Sequence, residues 1–487
     1  MNPFSSRKKQ VIALLIIIIT GLSGKLFAQS DYSANVKERI SKVENNLGGG
    51  IRIEGENPFN LQQRMKFYNV PGVSVAVIRD FKIDWAKAYG QADNESKIPV
   101  TTKTLFQAAS ISKSLNGVGA MKLVEEKKLD LDADINNYLT SWKFPYDSVS
   151  GNKKITLRNL LSHTAGLTVH GFPGYEPTDK FPSVNQILDG VSPANTKPVR
   201  SQFAPSSKVQ YSGGGTTISQ VMIADQTKIS YAKYMNEKIL APLGMTGSFY
   251  GYPTPAAKAA LLSTGYTAEG TPIKGKYHVY PEQAAAGLWT NPTDLAKYII
   301  ETQLAFQGKS GKVLSKVGTI QRLNPVMGEA ALGVFIVKKG NATYFTHGGA
   351  NEGFRCQYFG DLENGNGIVV MANSDNGAIL NEIINSVATV YNWKEFYNPV
   401  IKKIQPVGKE LLTSYTGRYQ LNSDMIITIS AKDNQLFAQA TNQPAFAIYP
   451  ETITMFFVKE FEAKMEFSND KLVLHQNGQK MDAKKLP

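Results

Sequence analysis

Segments with strand character flank a long helical and loop-rich middle in this 487-residue chain. Residues 73–78 and 81–89 read as a hairpin turning at Arg79-Asp80. Residues 331–338, 343–347, 354–359 and 367–372 read as strands again, followed by a helix over 378–393. Strands early, helices in the middle and strands late leave one economical solution, a single antiparallel sheet built from both ends of the domain and packed with helices. The fold class is therefore α+β.

After Asn398-Pro399 and Gln405-Pro406-Val407-Gly408 the chain changes character. Short strands over 425–429, 436–440, 453–458, 463–467 and 472–475 are separated by the turn pairs Asp433-Asn434, Asn469-Asp470 and Asn477-Gly478. This meander predicts a small all-β, barrel-like domain with no catalytic cluster of its own.

Ser110-Ile111-Ser112-Lys113 opens a helical pattern whose apolar stripe is Leu115, Val118, Met121 and Val124. Residues three apart share a helix face, so the spacing puts the Ser110 hydroxyl and the Lys113 amine within hydrogen-bond reach. By itself the tetrad also fits a capped surface helix. Gly117, one turn beyond Lys113 on the serine face, costs helix stability of about 0.5–1 kcal/mol relative to alanine, and so predicts that another part of the chain approaches closely.

Arg7, Lys8 and Lys9 precede an apolar run at 11–19, and a small residue, Ala28, offers a cut, so residues 1–28 read as a signal peptide. The run is shorter than the roughly 20 residues of a membrane span, and no stable anchor is expected after cleavage. Removing Arg7, Lys8, Lys9 and Lys25 lowers the formal charge from +13 to +9. The remaining lysines are dispersed, which excludes a nucleic-acid binder of the usual basic-stripe kind. Cys356 is the sole cysteine; with no internal disulfide available it reads as a packed small hydrophobe in an exported protein, periplasmic or secreted.

Serine–lysine acyl transfer needs a further group to carry protons and two N–H donors for the developing oxyanion. Tyr211-Ser212-Gly213-Gly214-Gly215 offers a tyrosine before a glycine-rich turn. Thr346-His347-Gly348-Gly349-Ala350 offers a strand edge without side chains at two positions where substrate would lie. His163 reads as a loop tie, and His170, His278 and His475 are not in metal-ligand spacing. No G-x-S-x-G elbow occurs, and no G-x-x-x-x-G-K run is followed by the Ser or Thr that a phosphate-binding loop requires.

Together the three segments resemble, in order and spacing, the motifs of the penicillin-recognising serine hydrolases, the β-lactamase and D-alanyl-D-alanine carboxypeptidase superfamily. The likeness is greatest to its class C-related branch. Ile155-Thr156-Leu157-Arg158-Asn159-Leu160-Leu161-Ser162-His163-Thr164-Ala165-Gly166-Leu167, Pro242-Leu243-Gly244-Met245 and Ala286-Gly287-Leu288-Trp289-Thr290 are similar to that branch as well, over about residues 55–395. The C-terminal meander is similar to the lipocalin-like module some members append. The resemblance implies a β-lactamase/transpeptidase-like sheet with a helical subdomain, Ser110 as nucleophile, Lys113 as proton acceptor, Tyr211 as relay, and an oxyanion hole from the N–H groups of Ser110 and Ala350. His347 stands where many members carry lysine, and Gly213 where β-lactamases and carboxypeptidases usually carry asparagine. Gly213, Gly348 and Gly349 would line the substrate site, with Arg355 as a replacement carboxylate anchor or a surface salt bridge.

These readings divide the chain into a signal peptide (1–28), a lead-in (29–54), a hydrolase domain (55–398), a linker (399–408) and a β-barrel domain (409–487). They predict an exported serine hydrolase that cleaves an amide or ester in a small or peptide-like substrate. The alternatives are a class C-like β-lactamase and a catalytically silent protein that binds cell wall or a partner. No cofactor or metal is implied, and the oligomeric state is left open.

Overall fold

The computed structural model describes residues 32–443 and 445–487; the segment 1–28, read above as a signal peptide, lies outside the described residues. A seven-stranded sheet is formed by β1 (Gly72–Arg79), β2 (Lys82–Asp93), β3 (Ile98–Pro99), β4 (Phe335–Lys339), β5 (Ala342–Asn351), β6 (Phe354–Asp361) and β7 (Gly367–Ala372). The spatial order is β3-β2-β1-β7-β6-β5-β4, with every pairing antiparallel. Ile78 lies opposite Gly367 and Val73 opposite Ala372. The sheet is thus sewn together from both ends of the domain, as the strand pattern predicts.

Both central strands are apolar because both faces of the sheet are covered. Val73, Val75 and Val77 of β1 pack with Val370 of β7 on helices α1 (Ala34–Glu44) and α5 (Ala378–Val390), through Ile40, Val43, Ile383 and Val387. The alternate residues Ala76 and Ile78, with Val369 and Met371, face the helical middle of the chain. That second layer contains α2 (Ser112–Glu125), α3 (Gly213–Thr227) and α4 (Pro292–Phe306).

Several boundaries differ from the sequence reading. The strand expected over 331–338 begins only at Phe335, because Gly333 adopts φ +80° and turns the chain. The strand expected to end at His347 runs on through both glycines to Asn351, held by its ladder with β6. The lead-in contributes α1 to the outer layer, and its Ile51–Ile53 pairs in parallel with Val400–Lys402 of the presumed linker.

Eight strands close the C-terminal barrel: β8 (Gly417–Gln420), β9 (Ile426–Lys432), β10 (Gln435–Ala440), β11 (Phe446–Pro450), β12 (Met455–Val458), β13 (Ala463–Ser468), β14 (Lys471–Gln476) and β15 (Gln479–Lys485). Asp433 and Asn434 both take positive φ between paired Lys432 and Gln435, and Asn477-Gly478 does the same between Gln476 and Gln479. Those are the two-residue hairpin turns the sequence signals. The barrel has its own core of Tyr419, Ile429, Leu436, Phe456 and Phe467, among others. It meets the rest of the chain at the linker and at the start of the hydrolase domain beside the lead-in: Lys459 pairs with Glu56, Lys402 with Glu451, and the Gln405 N–H donates to the Pro450 carbonyl at 2.9 Å. A cavity of about 660 Å³ opens there, lined by both.

Candidate active site

The short strand Phe106–Gln107 pairs with Trp289–Thr290 and delivers the chain into a tight turn, Ala109–Ile111, that runs straight into α2. Ala109 has φ +48°, a left-handed conformation that strains a residue with a Cβ by roughly 1–2 kcal/mol. Hydrogen bonds hold it: Ser112 Oγ donates to the Ala109 carbonyl at 2.6 Å, the Leu288 N–H donates to Ser112 Oγ at 3.0 Å, and Cys356 Sγ donates to the Ala108 carbonyl at 3.1 Å. Ser110 is thereby presented half-buried at the head of the helix. Lys113 is buried, and its Nζ donates to Ser110 Oγ at 3.1 Å and to the Ala285 carbonyl at 2.8 Å. The close approach predicted at Gly117 is the backbone of Leu332 and Gly333; a Cβ on Gly117 would stand 2.5 Å from the Leu332 carbonyl oxygen.

The glycine-rich segment after Tyr211 is not a turn but the first turn of α3, capped by Ser212, whose Oγ accepts from the Gly215 N–H at 2.9 Å. Glycine is needed there because the ring of Phe172 lies over Gly213, 2.8 Å from where a Cβ would be, and Val199 lies over Gly214. Tyr211 sits just before the cap. Lys113 Nζ stands 4.9 Å from its ring centroid, on the ring face, and the His163 ring packs 4.3 Å away on centroids. The Ser212 N–H donates to His163 Nδ1 at 3.2 Å and the Gln210 N–H to the His163 carbonyl at 2.7 Å, so His163 ties this stretch in place from two directions. Burial, then Lys113, then His347 hold His163 well below the usual imidazole range. His170 Nδ1 donates to the Tyr211 carbonyl at 2.7 Å, a further tie.

β5 completes the site. A Cβ on Gly349 would meet the Ala108 carbonyl oxygen at 2.3 Å and Cys356 Sγ at 2.4 Å, and one on Gly348 would meet Gln357 Oε1 at 2.7 Å. Gly349 therefore lets the strand lie against the serine turn, while Gly348 leaves room for the Gln357 side chain of the neighbouring strand. His347 is buried, and its Nδ1 donates to the Gly348 carbonyl at 2.6 Å. A carbonyl can only accept, so Nδ1 carries the proton and Nε2 presents a lone pair, buried and without a partner among the described residues. Burial, reinforced by Lys113 and opposed by the Gly348 bond, pulls His347 down to about 3. Its ring lies 6.2 Å from that of Tyr211. Ala350 is exposed, opposite Arg355 in the ladder. Arg355 is engaged by Asp375 at 2.8 Å and by the Asn351 carbonyl at 2.7 Å, which is the salt-bridge arrangement among the two expected for it.

The structure thus gathers Ser110, Lys113, Tyr211 and His347 around one point, with the strand of Gly348, Gly349 and Ala350 beside them. Two features have no sequence signature. One is the Ala285 carbonyl that anchors Lys113. The other is Glu282, fully buried with neither carboxyl oxygen hydrogen-bonded among the described residues, and pushed up to about 7 by that burial. Among the described residues no group of three or more His, Cys, Asp or Glu is placed to hold a metal.

Comparison with known proteins agrees with this geometry. The chain is 25% identical over 234 residues to Protein flp of Staphylococcus aureus strain N315, a match that takes in 47% of this chain and 45% of that protein, so the chain spans about half the length of such relatives. It is 21% identical over 427 residues to Penicillin-binding protein 4* of Bacillus subtilis strain 168, covering 81% and 91% of the two chains. Among solved structures, the octameric penicillin-binding protein homologue from Pyrococcus abyssi shares the fold at TM-score 0.60 and 20% identity, over 87% of this chain and 98% of that one. The D-amino acid amidase from Ochrobactrum anthropi SV3 does so at 0.57 and 20%, over 74% and 99%. With the Beta-lactamase family pattern matching residues 60–385, more than half its length, this chain belongs to the β-lactamase family of serine hydrolases.

Proposed function

We propose that the protein is an exported serine hydrolase that opens an amide or ester bond through an acyl-enzyme on Ser110. The observation that carries this reading is the Lys113 amine, buried and fixed between the Ala285 carbonyl and Ser110 Oγ at 3.1 Å. In this scheme Ser110 Oγ bonds to the substrate carbonyl carbon while its proton passes to Lys113 Nζ, and the oxyanion is received by the N–H groups of Ser110 and Ala350. The bond to the leaving group then breaks, and the leaving nitrogen or oxygen takes a proton relayed through Lys113 and Tyr211. Water attacks the ester on Ser110 by the reverse path and restores the hydroxyl. The neutral His347 offers Nε2 as an acceptor for a substrate donor or for the Tyr211 hydroxyl, and holds no substrate carboxylate by charge. The appended barrel, proposed to be lipocalin-like, contacts the linker and the first residues of the hydrolase domain rather than these residues.

The experiment is turnover of a penicillin, a peptide ending in D-Ala-D-Ala and a short-chain ester by the mature protein, beside Ser110→Ala. One of the three is turned over, and the variant loses at least about 10³-fold. Unchanged turnover in Ser110→Ala overturns the assignment. Failure of a fluorophosphonate to label Ser110 turns the reading to a silent binding protein.

A further inference from the structure

Beside the serine turn lies a separate cavity of about 180 Å³. It shares walls with the site. Gln107, three residues before Ser110, lines it, and its Oε1 accepts from Asn351 Nδ2 at 2.8 Å, the residue after Ala350. Ala286 lines it too, directly after the Ala285 carbonyl that holds Lys113. The strips that position the serine, the lysine and the strand edge therefore continue into this hollow.

Its walls are aromatic. Tyr277 meets Trp289 edge to face at 5.1 Å, and Phe181 meets Tyr252 at 5.0 Å. Trp289 is held from behind by Phe249 and Phe354, so this wall is rigid. No Asp, Glu, Lys or Arg among the described residues lines the cavity. The Gln107 amide is committed at both ends, its Nε2 donating to the His278 carbonyl at 2.6 Å. Gln283 is different: its Oε1 is buried and has no partner among the described residues. A buried acceptor in this state calls for a donor. A cavity of about 150 Å³ holds one benzene ring, so this one holds a ring with a small substituent.

We propose that this cavity seats an uncharged aromatic side chain bearing one hydrogen-bond donor, of phenol or indole type, carried by the substrate next to the bond attacked at Ser110. The proposal rests on the reading of Ser110 given above. The ring packs against Trp289 and Tyr277, and its O–H or N–H donates to Gln283 Oε1. Lysine-type side chains are rejected because no carboxylate lines the cavity, and glutamate-type ones because its one ionisable imidazole, His278, already has Nδ1 engaged by the Pro173 carbonyl and Glu352.

The test is Ser110-dependent hydrolysis of the methyl esters of tyrosine, tryptophan, phenylalanine, leucine, alanine and glutamate, each as both enantiomers. In one enantiomeric series, kcat/KM for tyrosine or tryptophan exceeds alanine by about 100-fold and phenylalanine by about 10-fold. Gln283→Leu erases the tyrosine-over-phenylalanine ratio and keeps phenylalanine over alanine, which a merely structural glutamine would not do. Thr254→Phe, which fills the hollow, collapses the tyrosine-to-alanine ratio. Turnover with a flat series, or with ratios unmoved by either variant, overturns the proposal. Fluorophosphonate labelling separates the two readings. If Ser110 is not labelled, the hydrolase reading fails, and the cavity is judged by NMR titration with N-acetyl-tyrosinamide: saturable binding lost in Thr254→Phe supports it, and absence of binding overturns it.

Discussion

Gly349 lies so close to Ala108 that a Cβ on the glycine would stand 2.3 Å from the Ala108 carbonyl oxygen. Strand edge and serine turn are therefore in backbone contact, and the same carbonyl accepts from Cys356 Sγ on the neighbouring strand. Gly349→Ala forces the two apart at the point where the proposed oxyanion donors must converge. Displacements of about 1 Å at such a site reduce rates by roughly 10²-fold. Fluorophosphonate labelling of Ser110 slows by that order while the far-UV spectrum stays native; an undiminished rate would show that the contact does not set the site.

Gly117→Ala poses the same question inside a helix. Alanine gains up to about 1 kcal/mol of helix propensity, but its Cβ meets the rigid backbone oxygen of Leu332 at 2.5 Å. Overpacking of this kind costs about 1–3 kcal/mol. Net destabilisation in a urea titration is the expected result, and a stabilised variant would refute it.

Glu282 makes stability depend on pH. Its carboxyl is raised to about 7 in the folded protein from 4.5, so between those values the folded state holds a proton that the unfolded state has released. Stability therefore falls as pH rises from 4.5 to 7, by about 3 kcal/mol in all, and is level above. Glu282→Gln flattens this slope, measured as the urea midpoint at pH 5 and pH 8. An identical slope in wild type and variant would exclude Glu282 as its source.

His347 works in the opposite sense. Pulled down to about 3 from 6.5, it stays neutral in the folded state while the unfolded chain takes up a proton. Stability is full above 6.5 and is lost as pH falls towards 3. His347→Gln weakens this acid loss without abolishing it, because His163, also held low, contributes in the same direction. Urea midpoints at pH 7.5, 5 and 4 read the difference, and parallel curves for the two proteins would contradict it.

A chain ending at residue 408 keeps one cooperative unfolding transition and labels at Ser110, because the barrel core shares no residue with either core of the larger part. Loss of cooperativity would instead make the barrel part of one folding unit through Lys459–Glu56 and Lys402–Glu451.

The sheet was legible because β1 and β7 carry runs of β-branched residues, and the serine–lysine pair because an i, i+3 spacing is geometry in itself. The hairpins at Asp433-Asn434 and Asn477-Gly478 were legible because positive φ selects such residues. What escaped depended on distant parts of the chain. Nothing in Gly213-Gly214-Gly215 tells that Phe172 and Val199 will cover them and make a helix start of an apparent turn. Barrel strand β15, Gln479–Lys485, is masked by its lysines, since only Met481 and Ala483 pack on the barrel core. Ala285 anchors Lys113 through a carbonyl, and backbone atoms leave no trace in residue type.

Ile78 pairs with Gly367, and that seam has a consequence in time. A chain made from its N-terminus completes the helix bearing Ser110 long before β5, β6 and β7 exist. Until the last of these strands is released, Ser110 lacks the strand edge of Ala350 and Lys113 lies in an unfinished core. Ser110 and the strand edge of Ala350 are therefore joined through non-local pairings that form late in the folding of the chain.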